Sequence, residues 1–450
     1  MTSDVPASRR SSQRQRLLGA ITQLSIDEGY SAVTIGQLIA LAGVSRATFY
    51  EYFNDREECF AAALAPIRGQ LLAGIRTSVA SDSPERAISR AIHTLVAFAS
   101  SRSGMARLLM SDSLTGGDRL RDVRDGLVDE VARIVGEAHD LLPSGAVVAD
   151  LPPRLVCGVA CRLLGSRLRS SQPQLDSLGE ELRGWIAAYE TPVARHRWRA
   201  LSALSLPPRS PFLPPTALHA PPAPTPGSPR VSEDALMENQ WLRIVFATAE
   251  VIRRDGYAEA TVAQIAETAG MDARAFYRLF ASKQQALAAA GELLFRNAMA
   301  VAAGAFVAGE DWPEHVWEAV RALVQYAEQN PTLTYVSLVE SLAAGSSAIG
   351  RVEELTRAFT IFLQEGTFRP QDRAERAHAG PSEVALEAIA TAGFELVYRH
   401  ARAGNETPLS SLLAPIVFIS LAPFIGTDPA SEFVCGQQQG HEHPLLASAA

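Results

Sequence analysis

The side chains of this 450-residue sequence that stand close enough together for concerted chemistry are hydrogen-bonding ones, not acid–base or nucleophilic sets. Between Thr34 and Arg56 lie Ser45, Arg46, Thr48, Tyr50 and Arg56, a run of hydroxyls and guanidinium groups within twelve residues. Such groups make directional contacts: an arginine fork bonds the O6 and N7 of one guanine, and hydroxyls and arginines bond phosphate oxygens. Bond-breaking chemistry finds no matching set. There is no P-loop, no G-x-S-x-G, no H-E-x-x-H and no dinucleotide glycine pattern, and the nine His are scattered. Cys157 and Cys161 share a helix face, but no further ligand stands near them in sequence, and core packing is the expectation. Four Cys are too few for a disulfide framework. The chain is therefore expected not to be an enzyme, with no catalytic residues, no metal and no cofactor.

The elements that would position these groups are legible in the apolar spacing. Thr34 can cap a helix whose Ile35, Leu38, Ile39 and Ala42 fall at i, i+3, i+4 and i+7. Gly43 ends it, Ser45 can cap a second helix, and Phe49 and Phe53 supply that helix's buried stripe, which leaves Tyr50 outside. Two helices joined by a short glycine turn are a helix-turn-helix, whose second helix enters the DNA major groove. An amphipathic helix, Gln13 to Glu28, precedes the pair.

The same unit occurs twice. Gly29 to Arg56 realigns without a gap on Gly256 to Lys283, and nine of the twenty-eight positions are identical: Gly, Tyr, Thr, Gln, Ala, Gly, Phe, Tyr and Phe. The second copy has Thr261 as cap, then Val262, Ile265, Ala266 and Ala269, then Gly270, Asp272, Phe276 and Phe280, and a preceding helix from Asn239 to Asp255. The separation far exceeds the ~20–50 residues of a solenoid repeat, so two copies of one domain are implied.

The string T-x-x-x-L-I-x-x-A-G-V-S-x-x-T-F-Y-x-Y-F-x-x-R, read from Thr34 to Arg56, resembles the DNA-binding domain of the tetracycline-repressor (TetR) family of bacterial transcriptional regulators. The resemblance implies that Thr34, Ser45, Arg46 and Thr48 lie at the DNA, with base or phosphate contacts from the last three. It makes Tyr50 a phosphate contact and Arg56 a phosphate clamp. In the second copy the corresponding set is Thr261, Asp272, Arg274, Tyr277, Arg278 and Lys283. There Asp272, Ala273 and Ala275 replace Ser45, Arg46 and Thr48, so a carboxylate is gained and a guanidinium and a hydroxyl are lost. Asp272 can also be simply a helix N-cap. On these replacements the first head is expected to carry most of the DNA affinity.

Beyond each head the sequence reads as helices throughout. The expected fold is all-α: two TetR-like units, each a three-helix head followed by a helical body. The heads are expected at 11–60 and 236–290, the bodies at 61–206 and 291–425, a Pro-rich linker at 207–232 and a tail at 426–450. Ten Pro occur between Pro207 and Pro229, an extended semi-rigid spacer of roughly 70 Å at ~3.1 Å per residue. A P-x-x-P ligand at Pro211 to Pro214 is an alternative use of the same segment. The resemblance makes Pro153 to Arg169, Leu175 to Tyr189, Glu383 to His400 and Leu409 to Phe424 the dimerisation helices. It also implies a pocket for a small apolar effector, with Trp312, Trp317, Tyr326, Tyr335, Phe359 and Phe362 as lining candidates; each can equally be core. Phe98, Met105, Met110 and Trp185 are weaker candidates in the first body.

The net charge of −8 decides little, because phosphate binding depends on a local face. Up to Leu206 there are 24 basic and 22 acidic residues, against 17 and 27 beyond it, so the deficit lies in the second half. Arg9, Arg10, Arg14 and Arg16 form a basic arm at the start. No signal sequence and no long apolar run is read, so a cytoplasmic protein away from membranes is expected. The function expected is a ligand-responsive transcriptional regulator, usually a repressor, acting on a double-stranded DNA operator as an intramolecular pseudo-dimer or as a homodimer. The alternative is a DNA-binding first half whose second half serves only as a built-in dimerisation or scaffold module.

Overall fold

The computed structural model describes residues 4–170, 175–204, 217–223, 232–367, 381–404 and 407–442. Among these the fold is all-helical, apart from two three-residue strands, Val147–Ala149 and Glu190–Pro192, paired in one small sheet. The chain divides into two compact units. The first comprises Met1–Val147, Leu151–Arg183 and Leu342–Gly350; the second comprises Val148–Asp150, Gly184–Ser341 and Arg351–Ala450. Each unit thus includes a short stretch that belongs, by sequence, to the other half.

In the first unit, α1 (Asp4–Glu28), α2 (Ile35–Ala42) and α3 (Arg46–Tyr52) form the head, and α4 (Arg56–Ala80) runs on into the body. There α4 packs against α5 (Ala87–Ser101) and α7 (Asp118–His139). Helices α6 (Ser103–Met110) and α8 (Pro153–Leu168) complete the layer. Every residue of α8 from Leu155 to Leu164 is buried, Cys157 and Cys161 included. Helix α9 (Leu178–Ala187) follows, and a short helix, α10 (Trp198–Leu201), lies in the stretch assigned to the second unit.

The second unit repeats the plan with α11 (Glu233–Glu259), α12 (Val262–Thr268), α13 (Ala273–Leu279) and α14 (Lys283–Phe306). Its body holds α15 (Trp312–Gln329), α16 (Pro331–Leu338), α17 (Ser346–Ala358), α18 (Ile361–Gln364), α19 (Glu383–Arg402), α20 (Leu413–Ile425) and α21 (Thr427–Glu442). Among the described residues α14 alone is long and apolar enough, by length and composition, to cross a membrane. Glu292 and Arg296 interrupt its apolar run. Its Ala286, Leu287, Ala290 and Leu294 are buried, and it packs against α11, α15 and α16.

Three segments differ from expectation. The basic start is not an arm: Asp4 to Ser12 continues α1 as one helix, as a stretch without Gly and with its one proline, Pro6, in the first turn permits. The segment expected as a tail from 426 instead forms α21 after Gly426 breaks α20 at φ 92°, because Ala430 and Val434 recur at i, i+4 and are buried. Most of the Pro-rich linker, Pro211 to Pro214 included, lies outside the described residues. Its described part is pinned: Leu218 N–H donates to Asn330 Oδ1 at 2.7 Å, and Asn239 Nδ2 to the Pro222 carbonyl at 3.1 Å.

Candidate nucleic-acid interface

The first head is built by a chain of local bonds. Gly29, at φ 82°, turns the chain out of α1, a conformation that favours glycine. Thr34 then closes a capping box: its Oγ1 accepts from Gln37 N–H at 3.2 Å, and Gln37 Oε1 accepts from Thr34 N–H at 2.8 Å. Gln37 Nε2 donates onward to Glu28 at 2.9 Å, tying α2 to α1. Gly43 ends α2 in the left-handed region at φ 60°. Ser45 caps α3 by accepting from Thr48 N–H at 3.0 Å, with its hydroxyl also 3.0 Å from Thr48 Oγ1.

The second head repeats each step: Gly256 at φ 79°, Thr261 boxed with Gln264, Gln264 donating to Asp255 at 3.1 Å, and Gly270 at φ 64°. Asp272 caps α13 by accepting from Ala275 N–H at 2.8 Å. This carboxylate is therefore engaged with its own helix. The capping-box signal T-x-x-Q was present in the sequence at both sites and is the readable trace of Gln37 and Gln264, which the site reading did not single out.

Phe49 and Phe53 are buried in one head, and Phe276 and Phe280 in the other. That packing turns one face of each second helix outward. On α3 the exposed residues are Arg46, Ala47, Tyr50 and Glu51; on α13 they are Ala273, Arg274, Tyr277 and Arg278. The phenols stand 51% and 60% exposed, held edge-on against Phe49 and Phe276 at ring separations of 5.3 and 5.5 Å. The exposed face of α3 thus pairs one guanidinium with one carboxylate, whereas that of α13 carries two guanidiniums. Glu51, which offsets Arg46, escaped the sequence reading, although its replacement by Arg278 is visible in the alignment of the two copies.

Arg56 and Lys283 turn inward. The Arg56 guanidinium lies 4.5 Å from the Tyr30 ring centroid and donates to the Val33 carbonyl. Lys283 Nζ lies 4.6 Å from the Tyr257 ring and donates to the carbonyls of Tyr257, Ala258 and Ala260 at 2.6, 3.0 and 2.8 Å. Burial pushes the Tyr30 phenol up to about 12 against the pull of Arg56, and burial draws the Lys283 ammonium below its ordinary value. Both cations brace the corner between the first two helices of their head.

The aromatic residues of the second body are only partly gathered. Trp312 donates from Nε1 to the Phe362 carbonyl at 3.3 Å, and Phe359 and Phe362 are 6.5 Å apart. Trp317 instead packs on Phe433, and Tyr335 lies under Arg253 at 3.7 Å. Burial raises the Tyr326 phenol to about 12.

The family described as "Bacterial regulatory proteins, tetR family" matches residues 17–63 and again 244–290, one match on each head. The chain is similar to the nucleoid occlusion factor SlmA of Glaesserella parasuis, 30% identical over 112 residues, which are 25% of this chain and 56% of that protein. It is 29% identical over 128 residues to SlmA of Vibrio campbellii, 28% of this chain and 65% of that protein. The chain therefore spans less than two thirds of either relative. Among solved structures, the fatty acid degradation regulator FadR from Bacillus halodurans aligns at 20% identity and a TM-score of 0.36, covering 40% of this chain and 94% of that one. With the family's domain matched on both helix-turn-helix heads, this chain carries two DNA-binding domains of the tetR type in tandem.

Proposed function

We propose that the chain is a cytoplasmic transcriptional regulator that grips a double-stranded DNA operator with both heads and represses until a small apolar effector binds a body. The observation that carries this reading is the twofold presentation of an outward face on α3 and α13, each set by an N-cap and held by buried Phe residues. A groove-reading helix needs such a face: arginines for base edges and phosphates, and a phenol for a phosphate. In the first head Ser45, Arg46, Thr48 and Tyr50 make the contacts; in the second, Arg274, Tyr277 and Arg278 do.

Release by an effector follows from linkage: a ligand that binds the body better when the heads are misplaced weakens DNA binding by the same factor. The Trp312, Phe359 and Phe362 cluster is the best-supported wall of such a pocket.

Selection of genomic fragments with the purified full chain, followed by sequencing, tests the reading. One short enriched site, occupied by one chain in mass photometry, is expected. Absence of any enriched site would end it. A site unaffected by changes on α13 would favour the reading in which the second half is only a dimerisation module.

A further inference from the structure

Two buried carboxylates occupy equivalent places in the two halves, and neither belongs to a recognition helix. Asp112 follows α6 on a short 3-10 turn, and Glu340 follows α16 on another. They are 2% and 4% exposed. Both are followed by Ser-Leu. A buried carboxylate costs several kcal/mol of desolvation unless it is bonded, so the partners explain its retention.

Those partners are at the head. Tyr257 N–H donates to Glu340 Oε2 at 2.9 Å, and the Tyr30 backbone N–H lies on the side of the buried Asp112 carboxyl, whose pKa burial raises and this N–H helps to lower. Each N–H belongs to the residue after the positive-φ glycine, Gly256 or Gly29, that turns the chain out of the first helix. The glycine conformation and the carboxylate thus act on one corner. A second tie lies beside each. In the first unit Arg107 Nη2 donates to the carbonyls of Ser25 and Ile26 at 2.8 and 2.7 Å, and Arg107 Nε lies 3.4 Å from Asp112 Oδ2. In the second unit Tyr335 stands where Arg107 stands, five residues before the acid. There the cation comes from the head: Arg253 lies 3.7 Å from the Tyr335 ring. The attachment persists although its charged partner has changed sides.

We infer that Asp112 and Glu340 are positioning residues that latch the glycine-tyrosine corner of each head to its own body and so fix where the recognition helix is presented. This rests on the reading that the heads bind DNA together. The latch makes the spacing between heads a property of the bodies. A shift of a 3-10 turn in the body moves the corner, and with it α3 or α13, without any change inside the head. No atom of the latch touches DNA.

The test uses the full chain and the operator it selects, with one or two base pairs inserted or deleted between the half-sites. Two heads held in register gain affinity through effective concentration, a gain lost when they cannot engage together, so about tenfold weaker binding per misplaced spacing is expected of the wild type. Asp112→Ala and Glu340→Ala should bind the correct spacing more weakly and vary less than about threefold across spacings, because loosened heads pay no penalty for misplacement. Asp112→Asn and Glu340→Gln keep a carbonyl acceptor for the N–H and should retain the wild-type profile. Destabilisation alone would lower affinity equally at every spacing. Alanine variants with the wild-type spacing profile would overturn the latch, as would amide variants that behave like alanine. If alanine variants do not fold, hydrogen exchange of the wild type decides: slow exchange at the Tyr257 amide is expected, and exchange as fast as an open loop overturns the inference. Failure of the wild type to select any DNA would instead remove the function on which the latch rests.

Discussion

The Tyr189 hydroxyl donates to the Ile419 carbonyl at 2.8 Å across 230 residues of sequence, and Pro423 explains why that carbonyl is open. In a continuous helix the Ile419 oxygen would accept from the N–H four residues on, but a proline has none. Tyr189 fills the place and itself accepts from Trp185 Nε1 at 3.2 Å. Burial raises its pKa far above that of an ordinary phenol, which keeps the hydroxyl a donor.

Tyr189→Phe leaves the Trp185 N–H and the Ile419 carbonyl buried without partners, so it should destabilise the fold by about 2–3 kcal/mol. In a Pro423→Ala background the helix supplies its own donor to Ile419, and the loss should shrink by about 1 kcal/mol. Urea unfolding of the four proteins in a double-mutant cycle measures both. Equal losses in the two backgrounds would show that the proline does not set the role of Tyr189.

The two recognition faces should respond differently to salt. Arg274→Ala and Arg278→Ala each remove a charge from the α13 face and should lower the salt slope by about one unit if the contact is to phosphate, or cost ~1–3 kcal/mol at one base pair if it is to a guanine. Arg46→Ala should cost a similar amount on the other half-site. Because Glu51 offsets Arg46 on the exposed face of α3, Glu51→Gln should strengthen binding at low salt. Mobility shifts at several ionic strengths check all four, and a flat response to both α13 changes would return most of the affinity to the first head, as the alignment alone suggests.

Asp272 separates capping from charge. Asp272→Ser keeps an acceptor for the Ala275 N–H and removes a carboxylate near phosphates, so the melting temperature should hold while DNA affinity rises. Asp272→Ala should cost about 1 kcal/mol of stability. Thermal unfolding beside binding distinguishes the two variants; a stability loss as large for Ser as for Ala would contradict the capping role.

Thiol chemistry should divide along burial. Cys59 is buried and its pKa is pushed up to about 12, so almost no thiolate exists near pH 8. Cys435 is exposed. Iodoacetamide at pH 8 should modify Cys435 within minutes and Cys59 only on unfolding, as read by peptide mass spectrometry. Fast labelling of Cys59 in the native protein would show that α4 opens locally.

Local chemistry was readable before the fold. Thr34, Gly43 and Ser45 act on residues three or four positions away, so their roles as caps and turn follow from spacing alone, and α8 and α19 begin where their apolar runs begin. Direction was harder. Arg56 and Lys283 sit where a phosphate clamp was expected, yet their donors meet carbonyls that come near only once the first helix has turned at Gly29 or Gly256. The Glu340 latch and the Tyr189 bond join residues 83 and 230 apart, distances over which periodicity carries no information. The pocket candidates scattered for the same reason: an aromatic stripe says that a face is buried, not which faces meet.

The exchange of Gly184–Leu204 and Leu342–Gly350 between the compact units bears on inheritance. After an ordinary gene duplication one copy can decay while the other keeps working. Here a stop codon in the linker would yield a product whose Gly184–Leu204 stretch has lost the helices it packs on, and which lacks a stretch encoded beyond the break. Neither half can be shed without damaging the other, so nonsense changes in the second half should be as harmful as those in the first, and the recognition helices remain the segments free to diverge.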